Sequence, residues 1–219
     1  MIAAFFDVDK TLIRCNSQEK LVCFFFKRGF FKPSYLFYPF LWKLGHFLQL
    51  PLINDVFVRE KCYSQLSNMD EKKADLLFKE FYEAIIKKEI LLEAQKLVEF
   101  HKSMGHKIVL VSASIDKIVA PIARFFSADF SFNTTLEVKD GVVTGKLYGN
   151  VISGEEKASV IKQWSFKNGI DLSKSYAYGN SRDDIPMLRC VGSPVAVNPD
   201  RGLRYMARKN NWQIELCGT

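Results

Sequence analysis

The sequence predicts an α/β fold: a parallel sheet flanked by helices, with a helical cap inserted after the first strand. Three observations carry this. Short, almost purely apolar runs recur along the chain, helical patterns alternate with them, and one long helical, aromatic stretch interrupts the alternation. The 219 residues suit one sizeable domain, or a core with a smaller insertion. Hydrophobic residues make up 48%, ample for a packed core, which excludes wholesale disorder.

The first run, residues 2–6 (IAAFF), ends at an acidic turn, as does a strand buried on both faces of a parallel sheet. Residues 107–112 (KIVLVS) form a second run, β-branched and entered through Gly105. A third spans 175–178 and is ended by Gly179-Asn180; a fourth spans 194–197 and is ended by Asn198-Pro199. Residues 90–104 carry Leu91, Leu92, Ala94, Leu97, Val98 and Met104 among charged positions, a helical pattern. Residues 116–126 and 155–167 read the same way, with a shorter candidate at 203–209. Two segments break the alternation. Residues 133–149 read as a β-hairpin turning at Asp140-Gly141. Residues 14–88 are helical and too long for a crossover, so they read as a cap, leaving 1–13 and 89–219 as the catalytic core. In such sheets ligands sit beyond the carboxyl ends of the strands, where Asp7, Ser112 and Asn180 would lie.

Asp7 and Asp9, spaced i, i+2 in the DxDxT segment ending at Thr11, can face one site if the chain leaves the β conformation there. Phosphoryl transfer needs a positioned nucleophile, a proton donor for the leaving oxygen and positive charge on the phosphate oxygens. A divalent cation would remove the repulsion between carboxylate and phosphate, and magnesium suits one or two carboxylates with waters and phosphate. Read alone, each later segment has a bland explanation. The 179–184 segment (GNSRDD) is a turn opening a helix, capped by Ser181 or Asp183; Ser112 is a helix N-cap; Lys157 is a solvated lysine.

Together, in order and spacing, these four segments resemble the haloacid-dehalogenase-like phosphatase superfamily, whose core is a Rossmann-like parallel sheet. The helical cap and the Lys139-Asp140-Gly141 hairpin before Lys157 resemble its phosphoserine-phosphatase-type subfamily IB. The resemblance implies a Mg2+-dependent phosphomonoester hydrolase in which Asp7 forms an aspartyl-phosphate. Asp9 would protonate the leaving group and later activate water. Ser112, Ala113, Lys157 and Thr11 would bind phosphate. Asp7, the Asp9 carbonyl and Asn180 would bind the metal, with Asp183 and Asp184 adjusting its surroundings. Three departures stand out. Asn180 occupies a position where the family most often has Asp. Asn16 stands where phosphoserine phosphatases carry the Glu that pairs with the substrate ammonium, and Ala113-Ser114 replaces their Gly-Gly pair.

The formal charge is +7, which suits an anionic partner, but the basic residues are spread along the chain and no nucleic-acid motif is present. The expected substrate is a small or amphiphilic phosphomonoester. Phosphoserine itself, a lipid phosphate, or a non-catalytic phosphate- or membrane-binding role are the alternatives. Residues 21–53 concentrate aromatics, from Phe24 to Phe47, interleaved with Lys27, Arg28, Lys32 and Lys43. This stretch reads either as the cap's own core or as a peripheral contact with an anionic membrane.

Arg59 could reach the substrate but reads first as a solvated helix position, and His101 and His106 read as surface residues. With no histidine near a nucleophilic Ser or Cys, a triad hydrolase is disfavoured. The second aspartate argues against a dehalogenase, and residues 141–147 are one residue short of a P-loop. The five scattered cysteines contain no CxxC pair and read as small buried apolar residues in a reducing compartment. The first apolar run meets Asp7 too soon for a secretory signal, so a cytoplasmic location is expected.

Overall fold

A computed structural model describes residues 1–30 and 55–217. Its centre is β1 (Ala3–Phe6), four residues with no solvent exposure at all. A strand buried on both faces needs apolar side chains in both directions, and the sequence supplies them. Ala4 and Phe6 enter one core, with Ile108, Leu110 and Tyr178; Ala3 and Phe5 enter the other, with Val109, Val111 and Ala177.

β1 pairs in parallel with β3 (Lys107–Ile115) on one side and β6 (Tyr176–Gly179) on the other. β4 (Phe130–Lys139) joins β3 in parallel, and β7 (Ser193–Val197) and β8 (Gln213–Glu215) continue beyond β6. β5 (Val142–Tyr148) returns antiparallel to β4 across Asp140-Gly141, both at positive φ, and so completes the expected hairpin. β2 (Met69–Asp70) pairs antiparallel with β5, so the insertion contributes the sheet's edge strand. The eight-stranded order is β2-β5-β4-β3-β1-β6-β7-β8. The connection from β1 leads to β3 on one side and that from β6 leads to β7 on the other, making the β1–β6 boundary the switch point where a crevice opens.

One face carries α1 (Ser17–Lys27), α3 (Glu71–Ala84), α4 (Leu92–Ser103) and α5 (Asp116–Phe125). The other carries α6 (Glu155–Asn168), α7 (Ile185–Leu188) and α8 (Arg201–Lys209). α2 (Asp55–Tyr63) lies within the insertion. Phe24, Phe25, Leu66, Phe78 and Phe81 of the insertion share one continuous buried cluster with Phe6, Leu110, Ile118 and Ile122. Phe26 is exposed. The aromatic and basic positions of residues 31–54, on which the membrane reading mainly rests, lie outside the described residues. Among the described residues no helix is long and apolar enough to cross a membrane.

Three sequence readings are corrected. His101 is fully buried; its Nε2 lies 2.8 Å from the Tyr178 hydroxyl and its Nδ1 2.8 Å from Nδ1 of His106. Two ring nitrogens can be satisfied inside the fold by partners that are distant in sequence, which periodicity cannot reveal. Ser112 is no helix cap, because β3 continues to Ile115 and the helix starts at Asp116. None of the five cysteines is fully buried, and Cys23 is exposed.

Candidate active site

The chain leaves the sheet immediately after Asp7, whose N–H donates to the Tyr178 carbonyl at 2.9 Å. Beyond it Lys10 adopts φ +60°, and the amides of Thr11, Leu12 and Ile13 all donate to the Val8 carbonyl. This tight turn departs from β geometry and lets both carboxylates reach one crevice. On β3 the pairing register shifts between Val111 and Ile115, releasing residues 112–114 from the regular ladder. Ser112 Oγ accepts the Ser114 N–H at 3.1 Å, which leaves the Ser112 O–H to donate elsewhere. The Ala113 carbonyl accepts from the Thr134 hydroxyl at 3.0 Å and from Arg59 Nη1 at 3.1 Å. Arg59 therefore reaches the site edge rather than lying on a solvated face.

Lys157 sits in the first turn of α6 and is 3% exposed. Its Nζ donates to Asp7 Oδ1 and Asp184 Oδ1, both at 2.6 Å. Asp184 Oδ2 accepts the amides of Asn180 and Ser181 at 2.9 Å and the Ser181 hydroxyl at 3.1 Å. This carboxylate thus closes the loop and anchors the lysine, and Ser181 is the cap. Gly179 is required here, since a Cβ would lie 2.5 Å from Asp184 Cβ. Thr11 Oγ1 donates to Asp7 Oδ2 at 3.3 Å. Asp183 is exposed on the same loop.

The Asn180 side-chain amide lies 3.3 Å from Asp7 Oδ2 and 3.1 Å from the Asp9 carbonyl oxygen. With its nitrogen inward the amide donates to both; with its oxygen inward three oxygens converge, a donor set that suits magnesium. Among the described residues no three His, Cys, Asp or Glu side chains are grouped to hold a metal by themselves. The fit therefore depends on the carbonyl and amide oxygens.

Burial pushes the Asp7 carboxyl up to about 7; Lys157 opposes the shift and Asp184 and Asp9 reinforce it. Burial also works against the charged lysine, but Asp184 and Asp7 more than offset it, so the Lys157 pKa is raised. The two directions agree on one physical picture. Lys157 stays charged, and Asp7, sharing that cation with Asp184, is left short of positive charge. A divalent ion beside Asp7 would supply it.

Asp9 is also raised by burial, against three hydrogen bonds that favour its charged form. These come from the Ser17 N–H at 3.0 Å and the Ser17 and Ser114 hydroxyls at 3.1 Å each. Ser17 and Ser114 were not singled out as site residues by the motifs; the only sequence signal was the polar residue at 114 in place of a glycine. Asn16 caps α1 by accepting the Glu19 N–H at 3.0 Å, so its side chain is committed locally.

The family model for haloacid dehalogenase-like hydrolases matches residues 4–189. The chain is 33% identical to a phosphoserine phosphatase of Mycobacterium tuberculosis, over 97% of its own length and 70% of the relative's. It is 27% identical to a histidinol-phosphatase of Neisseria meningitidis, over 96% of each chain. A crystal structure of a Bordetella pertussis protein of unknown function superposes with a TM-score of 0.86 at 27% identity, covering 97% of both chains. A family match over most of the chain, together with phosphatases among its relatives, decides the assignment: the protein belongs to the haloacid dehalogenase-like hydrolases and is a phosphatase of that superfamily.

Proposed function

We propose that the protein is a magnesium-dependent phosphomonoester hydrolase that works through an aspartyl-phosphate on Asp7. The observation that carries this reading is the buried Asp7–Lys157–Asp184 cluster at the β1–β6 switch point, with the Asp9 side chain held beside it. Asp7 Oδ1 bonds to phosphorus while the ester P–O bond breaks. The leaving oxygen takes the electron pair and a proton from Asp9. Asp9 then accepts a proton from the water that cleaves the acyl phosphate. Lys157 neutralises charge on Asp7 and the phosphate, and the Ser112 hydroxyl and Ala113 amide bind phosphate oxygens. Thr11 orients Asp7. Magnesium held by Asp7, the Asp9 carbonyl and Asn180, with Asp183 and Asp184 close by, would lower the repulsion between carboxylate and phosphate.

The substrate class is a small phosphomonoester, the class that includes phosphoserine and histidinol phosphate. Asn16, committed to its helix cap, does not replace the ammonium-binding glutamate, so phosphoserine is not singled out. The test is magnesium-dependent release of phosphate from aryl and alkyl monoesters, with Asp7→Asn as control. Turnover abolished in Asp7→Asn, and a hydroxylamine-labile phosphoprotein in the wild type, are expected. Full activity in Asp7→Asn, or no turnover of any monoester with magnesium, overturns the reading.

A further inference from the structure

We infer that Ser17 and Ser114 are positioning residues that hold Asp9 in the orientation needed to protonate a leaving group. The inference rests on the acid role proposed for Asp9. Its basis is a buried triangle of oxygens. Asp9 Oδ2 lies 3.1 Å from each serine hydroxyl, and the two hydroxyls are 2.9 Å from one another. The Ser17 N–H holds Oδ1 at 3.0 Å, so each carboxyl oxygen is fixed from a different direction. Ser17 is fully buried and Ser114 is 1% exposed. Together these contacts remove the rotational freedom of the Asp9 side chain.

Neither hydroxyl is needed by its own secondary structure. α1 is already capped by Asn16, and Ser114 lies where β3 departs from its regular register. Both hydroxyls are instead spent on Asp9. They also come from different parts of the chain, one opening the insertion and one at the end of a core strand. The acid is therefore aligned only when these two parts are seated together. A group that acts by orienting a proton donor matters in proportion to the proton's importance. An ester whose leaving phenolate is well stabilised needs little protonation, whereas one with a basic leaving group needs much.

The experiment measures kcat/KM for p-nitrophenyl, phenyl and p-methylphenyl phosphate with saturating magnesium. The proteins are the wild type, Ser17→Ala, Ser114→Gly, Asp9→Asn, and each serine change combined with Asp9→Asn. The serine variants should lose about tenfold more on the p-methylphenyl than on the p-nitrophenyl ester, a part of the roughly hundredfold or greater contribution of a general acid. Within Asp9→Asn the serine changes should cost nothing further, because their effect passes through Asp9. Equal losses on all three esters, or the same losses within Asp9→Asn, overturn the inference. The two serines lie on different elements, so a folding failure of one variant leaves the other to decide. Undiminished turnover by Asp7→Asn would sink the hydrolase reading itself; a lost Asp7→Asn activity with no leaving-group effect sinks only the role of the serines.

Discussion

Replacing Lys157 by methionine tests the electrostatic core of the site. Its Nζ lies 2.6 Å from both Asp7 Oδ1 and Asp184 Oδ1, and the three side chains are 3%, 8% and 1% exposed. Without the cation the two carboxylate oxygens remain no more than twice that distance apart. At an effective dielectric of about 20 their repulsion is roughly 3 kcal/mol, and loss of one member of a buried pair costs about 3–5 kcal/mol. For a chain of this size such a loss corresponds to about 10 °C in Tm. The cost should depend on pH. Without the lysine, which opposes the effect of burial, the folded-state pKa of Asp7 rises further above its unfolded value. Groups raised in this way contribute stability below the unfolded pKa and lose it as pH rises through the folded value. The variant should therefore be most destabilised at pH 8 and partly restored at pH 5. Urea unfolding of wild type and Lys157→Met in EDTA, at both pH values, measures this. A loss below about 1 kcal/mol at pH 8, or an equal loss at both pH values, would refute the reasoning.

Gly179→Ala would place a Cβ 2.5 Å from Asp184 Cβ and push the 180–184 loop away from Lys157. Activity should fall at least tenfold with a stability loss of about 1–3 kcal/mol, read by kinetics and urea unfolding. Asn180→Asp should lower the half-saturating magnesium concentration by about tenfold, since a carboxylate replaces an amide in the donor set; a magnesium titration of activity checks this. His101 has its pKa lowered to about 4, first by burial and then by His106. The unfolded chain then protonates before the native one, so stability present above the unfolded value of 6.5 is lost as pH falls towards 4. The loss should reach about 3 kcal/mol and should be absent in His101→Gln, as measured by unfolding between pH 4 and 7.

The strands that build the centre were legible because each carries its own signal: an apolar run long enough to be buried on both faces, followed by a turn residue. The same holds for Asp7, Asp184 and Asn180, which immediately follow or lie just beyond such runs. β2 and β8 were not legible. They are two and three residues long, too short for a periodicity of their own, and each exists only through its pairing, β2 with the remote β5 and β8 with β7. Lys157 looked like a solvated lysine beside two glutamates. Its burial is created by Asp7 and Asp184, 150 and 27 residues away. Arg59 and His101 were misread for the same reason, since their partners at Ala113 and Tyr178 come from other elements.

By itself the sequence determined the alternation of strands and helices, the hairpin at Asp140-Gly141 and the acidic turn after β1. Local periodicity and turn chemistry act over a few residues and can be read there. Only the tertiary structure decided the protonation tendencies of Asp7 and Lys157, the converging oxygens at Asn180 and the serine pair on Asp9. Those properties depend on desolvation and on distances near 3 Å between groups far apart along the chain, and they come into being only when the sheet has brought its strand ends together.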